Sequence, residues 1–289
     1  MLIILLSITS ILLIITLTML MNVLVFPRLR SQSSPENTPF VSILIPARNE
    51  SQVIAATIKA HLAQDYPNFE IIVLDDKSED GTGKIARDAS ASDEQLRVMN
   101  GTAVPAGWIG KSWACHNLAQ HARGDILLFT DADVQWRPTA LSALIAAMEQ
   151  NQIDLYTVWP TQQTETWSER LTVPLMALVI LGYLPVVMTH YSPFAIFAAA
   201  NGQCMAWRRK AYEQIGGHTA VADNVLDDVT LARLAKQNGF SLRMADGNGL
   251  IQTRMYHNWL TVRDGFAKNI LAGYGNSVIA LLLATVFHW

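Results

Sequence analysis

From Leu2 to Phe26 the chain carries no charged side chain, and apart from Asn22 its polar members are small: Ser7, Thr9, Ser10, Thr16 and Thr18. Crossing the hydrocarbon of a bilayer takes about 20 such residues in a helix, so residues 1–27 are expected to form a transmembrane anchor. A cleaved signal peptide fits less well. No basic stretch precedes the run, the run exceeds the usual apolar core of about 7–15 residues, and no A-x-A site comes after it. Arg28 and Arg30 stand directly after the run, and by the positive-inside tendency they put the downstream chain in the cytoplasm, at the face of the cell membrane. Residues 28–39 then read as a short polar linker, most of it the stretch SQSSPENTP.

Composition agrees with this reading. Of the 289 residues 51% are hydrophobic and only 16% charged, against about 25% charged in an average soluble domain. A net charge of −3 with no basic run argues against a nucleic-acid partner. Cys115 and Cys204 lie far apart without a C-x-x-C pair, which supports neither a disulfide scaffold nor a cysteine zinc site. The histidines show no zinc spacing either. His116 and His121 do not fall on one helix face, and Trp108 and Trp113 suit packing as well as they suit stacking on a sugar or base.

Two further apolar blocks lie beyond the anchor. Leu171–Ala200 is broken by Pro174, Pro185 and Pro193, and residues 270–289 read as a C-terminal membrane helix barely completed when the chain stops, as expected of a truncated sequence. Between the blocks, short β-rich runs (Val41–Ile45, Glu70–Leu74, Ile126–Thr130) alternate with helical spacing at Ser51–Leu62 and Thr139–Gln150. That rhythm predicts an α/β domain over residues 40–260 with a mostly parallel sheet. Ligands of such sheets bind beyond the carboxyl ends of the strands.

Acidic residues gather at those ends. Glu70–Leu74 runs into Asp75 and Asp76, and Ile126–Thr130 into Asp131-Ala132-Asp133. Residues two apart in an extended segment face the same way, so Asp131 and Asp133 can address one ligand, and carboxylate oxygens with substrate phosphates are what Mg²⁺ prefers. Gly81-Thr82-Gly83-Lys84-Ile85-Ala86 matches G-x-G-x-x-A, but carboxylates stand between the strand and the glycines, where they repel a bare pyrophosphate. Asp227-Asp228 opens a helical run ended by Gly239, a place that the helix dipole favours for structural reasons alone.

Pro46-Ala47-Arg48-Asn49-Glu50, Asp75-Asp76-x-Ser78-x-Asp80-Gly81-Thr82, Asp131-Ala132-Asp133, Gly202-Gln203-Cys204 with Ile215-Gly216-Gly217-His218, and Asp227-Asp228 together resemble the motifs of family 2 glycosyltransferases, in the same order. The segment Gly107–Ala114, with the N-terminal anchor, is similar to a narrower branch acting on carotenoids (chlorobactene or diaponeurosporenoate) or associated with hopanoids. The resemblance implies a GT-A fold, a UDP-sugar donor (with glucose the expected sugar), a divalent metal (Mg²⁺ or Mn²⁺) and inversion at the anomeric carbon. It further implies that Pro46, Arg48 and Glu50 line the nucleotide pocket, that Asp75 or Asp76 meets the uracil, and that Lys111 lies near the nucleotide. Asp131 and Asp133 would hold ribose and metal, and Asp228 would be the general base. Gly202, Gln203, Asp227, Arg254 and Trp259 would face the acceptor or the donor sugar. The usual Q-x-x-R-W element is absent as such. Gln252-Thr253-Arg254-Met255-Tyr256 with Trp259 stands in its place, which argues against processive synthesis.

The order of the motifs along the chain imposes a topological condition. The carboxylates at 131–133 and at 228 must meet in one site, so Leu171–Ala200 must return as a hairpin or lie along the interface, with Trp167, Tyr183 and Tyr191 as anchors, or else be buried core. The expected activity is non-processive transfer of a sugar to a hydroxyl or carboxyl of an apolar lipid. The competing readings are transfer to a polyprenyl phosphate or ceramide-like lipid, and a nucleotide-sugar-binding membrane scaffold without activity.

Overall fold

Runs of Val, Ile and Leu with buried residues on both faces are what a parallel sheet covered on each side requires, and this chain has several. The computed structural model describes residues 2–32, 38–89, 93–273 and 277–288. Its strands are β1 (Val41–Ala47), β2 (Phe69–Asp75), β3 (Leu96–Asn100), β4 (Ile126–Thr130), β5 (Val134–Trp136), β6 (Leu155–Trp159), β7 (Thr161–Gln162), β8 (Cys204–Arg208), β9 (Leu242–Asp246) and β10 (Ile251–Thr253). Its helices are α1 (Leu2–Val25), α2 (Ile54–Leu62), α3 (Thr82–Asp88), α4 (Gly110–His121), α5 (Ala140–Gln150), α6 (Trp167–Tyr183), α7 (Val186–Tyr191), α8 (Arg209–Gln214), α9 (Asp227–Gln237), α10 (Trp259–Gly273) and α11 (Val278–His288).

The main sheet has the order β3-β2-β1-β4-β8-β6-β9. Every strand runs the same way except β8, which is antiparallel to both β4 and β6. Alternation along β1 sends Ile43 and Ile45 to one face, against Ile54 and Ile58 of α2 and Leu144 of α5, and Leu44 to the other, with Leu118 of α4 and Leu231 of α9. From β1 the chain winds outward to β3 and then returns to β4 on the other side. The crevice between the carboxyl ends of β1 and β4 is therefore the switch point where such sheets bind ligands. A small sheet, β5-β10-β7, sits at this same edge, with β5 starting directly after Asp133.

Helix α1 contains the one stretch among the described residues long and apolar enough to cross a membrane, Leu5–Val25, and its leucines and isoleucines are largely exposed. Asn22 is the exception, 1% exposed. It meets the break between α6 and α7, where Pro185 has no N–H for the carbonyl of Leu181. Asn22 Nδ2 donates to Leu181 O (2.8 Å) and Leu184 O (2.6 Å), while its Oδ1 accepts from Val186 N (3.0 Å).

The apolar block Leu171–Ala200 folds back over the domain. Helix α6, 17 residues and thus about 25 Å long, packs along α1, with Gly182 against Ile15. Then α7 and a 3₁₀ turn at Ala195–Phe197 run over β9 and α9, where Lys236 Nζ donates to Met188 O at 3.3 Å and His190 Nε2 meets Met244 O at 3.1 Å. The outer side of the block, including Leu171, Leu175, Val179, Tyr191, Phe194 and Ile196, is exposed, so it is not buried core. The carboxylates at 131–133 and at 228 consequently belong to one domain on one side of α1.

Two boundaries differ from the expected ones. Residues 28 and 29 are not linker: Arg28 forms a backbone bridge with Asp246 at the end of β9, and Leu29 is 1% exposed within the core. The C-terminal apolar stretch does not start its own helix at 270: residues 270–273 finish α10, and α11 covers Val278–His288.

Candidate active site

The loops after β1 and β2 are tied to each other. Asn49, in the left-handed region at φ 58°, a conformation that asparagine tolerates, donates its N–H to Ser78 Oγ (2.9 Å) and accepts from Glu79 N (2.9 Å). Asp80 accepts from Ser51 N (3.0 Å) and Thr82 N (3.0 Å), and Thr82 Oγ1 accepts from Glu50 N (2.8 Å). These bonds explain the glycine pattern that mimics a dinucleotide motif. A Cβ at Gly83 would stand 2.0 Å from Asp75 Oδ2, so glycine is needed here to admit a carboxylate. Asp75 Oδ1 meanwhile accepts from Ser78 N (3.1 Å). Asp76 is the carboxylate left for a ligand: it is 7% exposed and sits in a slot beside Gly101 and Gly110.

Pro46, Lys111, Asp131, Gly202, His218 and Asp227 line one pocket at the switch point. Lys111, in the first turn of α4, reaches Asp131 Oδ1 at 2.7 Å. Burial alone would lower the Lys111 pKa, but Asp131 and Asp227 outweigh it and hold the ammonium charged. Asp228, in the first turn of α9, is held through both oxygens: Oδ2 accepts from Gly202 N (2.9 Å) and Oδ1 from Val229 N (2.7 Å). Burial nevertheless raises the Asp228 pKa. Asp227 is pushed up to about 6, by burial and then by Asp228 and Asp131, against the pull of Lys111.

The third group of carboxylates surrounds Asp133. Burial and Asp131 raise its pKa, and its Oδ2 accepts from Thr253 Oγ1 (3.3 Å), whose oxygen in turn accepts from Gln203 Nε2 (3.4 Å). Glu50 is pushed up to about 7 by burial, Asp133, Asp131 and Asp80. A set of mutually repelling, half-buried carboxylates fits a divalent cation that shares them with substrate phosphates. Among the described residues no three His, Cys, Asp or Glu side chains are already gathered around a point, and a cation held by one or two carboxylates plus phosphates needs no such cage.

Other expected site residues lie apart. Arg48 is exposed on the loop after β1. Arg254 is taken up by Glu169 (Nε to Oε2, 3.1 Å) and Glu165 (Nη1 to Oε2, 2.6 Å), fastening β10 to the start of α6. Trp259 stacks on Trp167 with centroids 6.1 Å apart, both rings at least half exposed. Trp108 and Trp113 pack on each other and on His116.

Residue spacing assigns no role to His218, Tyr212 or Thr253. The Tyr212 hydroxyl accepts from His218 N (3.1 Å) and is hydrogen-bonded to His218 Nδ1 (2.7 Å). The other ring nitrogen, Nε2, faces Asp227 Oδ2 at 3.9 Å. Burial drives the His218 pKa down to about 3, with Lys111 and His116 adding to it, so the ring stays neutral. The Gly216-Gly217 pair is the signal in the sequence that points to this contact: Gly217 has φ 51°, and a Cβ there would lie 2.6 Å from the Tyr212 ring.

The chain is similar to known proteins in sequence and in fold. The family model described as Glycosyl transferase family 2 matches residues 42–216. The chain is 28% identical over 249 residues to the 4,4'-diaponeurosporenoate glycosyltransferase of Staphylococcus haemolyticus, covering 82% of this chain and 63% of that protein, so it spans less than two thirds of that relative's length. With the protein of the same name in Staphylococcus aureus it shares 25% identity, covering 94% of this chain and 72% of the relative. Among solved structures, a Pyrobaculum calidifontis mannosyltransferase in complex with GDP-Man and Mn²⁺ superposes with a TM-score of 0.64 at 19% identity, covering 91% of this chain and 72% of that one. Staphylococcus aureus TarS in complex with UDP-GlcNAc gives 0.55 at 16%, covering 77% and 60%. These likenesses establish a shared GT-A fold.

Proposed function

The chain belongs to glycosyl transferase family 2, and from that premise we propose that it transfers a sugar, with inversion and one residue at a time, from a UDP-sugar to the hydroxyl or carboxyl of an apolar, carotenoid-type lipid at the cytoplasmic face of a membrane. The observation that carries this reading is the meeting of Asp228 with the Lys111–Asp131 pair: the Gly202 N–H that holds Asp228 belongs to the residue lining the same pocket. The names of the staphylococcal relatives support the acceptor class, and the exposed apolar side of α1 and α6 supports the membrane.

These groups account for the chemistry. The acceptor oxygen attacks the anomeric carbon as the bond from that carbon to the diphosphate breaks, and the proton of a hydroxyl acceptor passes to Asp228. Its raised pKa makes it a stronger base than an ordinary aspartate, a contribution of about 10²–10⁴ in rate. Lys111, held charged, faces the side on which the departing UDP gathers negative charge. Asp133 and Asp131 would hold a divalent cation, which when bound supplies further neutralisation of that charge. Asp76, in its slot, accepts from the base, and Pro46 and Glu50 flank the nucleotide.

The test is UDP release by membranes carrying the protein, given UDP-glucose and a total lipid extract, with and without EDTA. Lipid-dependent, chelator-sensitive release is expected, and with a hydroxyl acceptor it should fall by about 10²–10⁴ in Asp228→Asn. Release that persists undiminished in a folded Asp228→Asn protein would show that Asp228 is no base, as expected for a carboxylate or phosphate acceptor, which is already ionised. No release with any common UDP-sugar would return the chain to a scaffold role.

A further inference from the structure

A second cavity, of ≈ 320 Å³, lies where the end of α1 and the middle of α6 meet the carboxyl edge of the sheet. Val23 of α1, Phe26 just beyond its end, and Ile180 and Leu181 of α6 form its apolar wall, and Trp159 and Thr161 belong to the side next to the sheet. Three observations bear on what enters it. First, one wall is the helix read as crossing the bilayer, so an apolar molecule arriving along α1 and α6 need not pass through water. Second, the cavity adjoins the catalytic edge. Its lining residue Gln162 pairs in register with Thr253 of β10, whose hydroxyl bonds Asp133 and receives the Gln203 amide; next to Gln203, Gly202 holds Asp228. With strands about 5 Å apart, the path from cavity wall to the Asp133 contact is of the order of 10 Å. Third, the lining carries both Arg28 and Asp246, so it offers no net positive charge for the phosphate of a membrane phospholipid.

We propose that this cavity receives the apolar chain of the acceptor, at the part next to its polar end, and that the β7–β10 edge leads that end to Asp228. The inference rests on the lipid-acceptor reading above and names the occupant: a single extended hydrocarbon or polyene chain ending in a hydroxyl or carboxyl. A volume near the lower end of ordinary ligand pockets suits a segment of such a chain, the remainder staying among the lipid tails.

The experiment uses the full chain in detergent micelles, with UDP-glucose as donor and 4,4'-diaponeurosporenoate, a polyene carboxylate, as acceptor. Ala177→Trp places an indole in the cavity, and Leu178→Trp places one on the same helix outside it. Calorimetric titration with UDP reports that each protein is folded. The expected result is an acceptor KM raised about tenfold or more in Ala177→Trp with kcat unchanged, the signature of lost binding, and wild-type values in Leu178→Trp. A wild-type acceptor KM in Ala177→Trp, or the same rise in both variants, overturns the cavity assignment alone. A wild-type protein that binds UDP and transfers nothing to this acceptor overturns the acceptor reading as well. Should Ala177→Trp not bind UDP, Leu181→Trp tests the same wall by the same criteria.

Discussion

Replacing Asn22 by Leu tests whether the anchor helix is part of the fold or only its tether. Asn22 serves three backbone groups that have no substitute. The Leu181 carbonyl has lost its helical donor to Pro185, the Leu184 carbonyl is passed over because Met188 N bonds Pro185 O, and Val186 N is the first N–H of α7. Side-chain hydrogen bonds between helices in a bilayer are worth about 0.6 kcal/mol on average and up to about 1.7. Three of them give about 2–5 kcal/mol, and the upper half applies because a buried backbone group left without a partner costs about 1–3 kcal/mol. At about 2–4 °C per kcal/mol, the upper half of that range means that Asn22→Leu should lower Tm by about 7–20 °C. The assay is thermal unfolding of detergent-solubilised protein monitored by size-exclusion fluorescence. A shift below about 2 °C would refute the claim that Asn22 caps the α6–α7 break.

The remaining predictions concern the site. The base must be ionised, and burial raises the Asp228 pKa, so with a hydroxyl acceptor kcat/KM should rise with pH through a limb displaced above that of an ordinary aspartate, read from a pH–rate profile; a limb at the ordinary aspartate position would contradict the burial. Stability has the opposite sign. Between 3.8 and about 6 the folded Asp227 keeps a proton that the unfolded chain has lost, so stability falls as pH rises through that window, and denaturant titrations of Asp227→Asn should show a flatter pH dependence. Gly217→Ala forces a Cβ onto the Tyr212 ring and strains the backbone at φ 51°, a cost of about 1–3 kcal/mol measurable by the same titrations; no change would mean the Tyr212–His218 pair is loose. Asp133→Asn should bring UDP release down to the level of EDTA-treated wild type, and full metal-stimulated release would remove Asp133 from the cation's ligands.

Much of the fold and site is legible from local pattern. The run Ile126–Thr130 is β4 to the residue, because an apolar stretch closed by aspartates leaves little freedom to a buried strand. Asp131, Asp133 and Asp228 can be singled out because strand ends and helix starts are local events. Features that depend on distant partners stay hidden. Nothing near Leu29 announces that its N–H bonds Asp246 O at 2.8 Å, so the segment reads as linker. Arg254 looks free to meet a phosphate until Glu165 and Glu169 arrive from the start of α6. Pro185 announces a break after α6, but nothing local shows that Asn22, more than 150 residues earlier, caps it. His218 reads as one histidine among seven until the Tyr212 hydroxyl is found bonded to both its ring and its backbone N–H.

Only Phe26 and Pro27 separate the end of α1 from Arg28, which is bridged to the edge strand of the main sheet. So short a junction leaves no swivel. A tilt of the anchor becomes a tilt of the pocket mouth, and the height of the reacting centre above the bilayer is set by the fold rather than averaged by thermal motion. On the proposed reading, encounters with acceptors embedded in the same leaflet are then a search in two dimensions at a fixed angle of approach, while the soluble donor still arrives from three. The enzyme's turnover should therefore track the surface density of acceptor in the membrane and the thickness of that membrane, in a way that bulk lipid concentration does not describe.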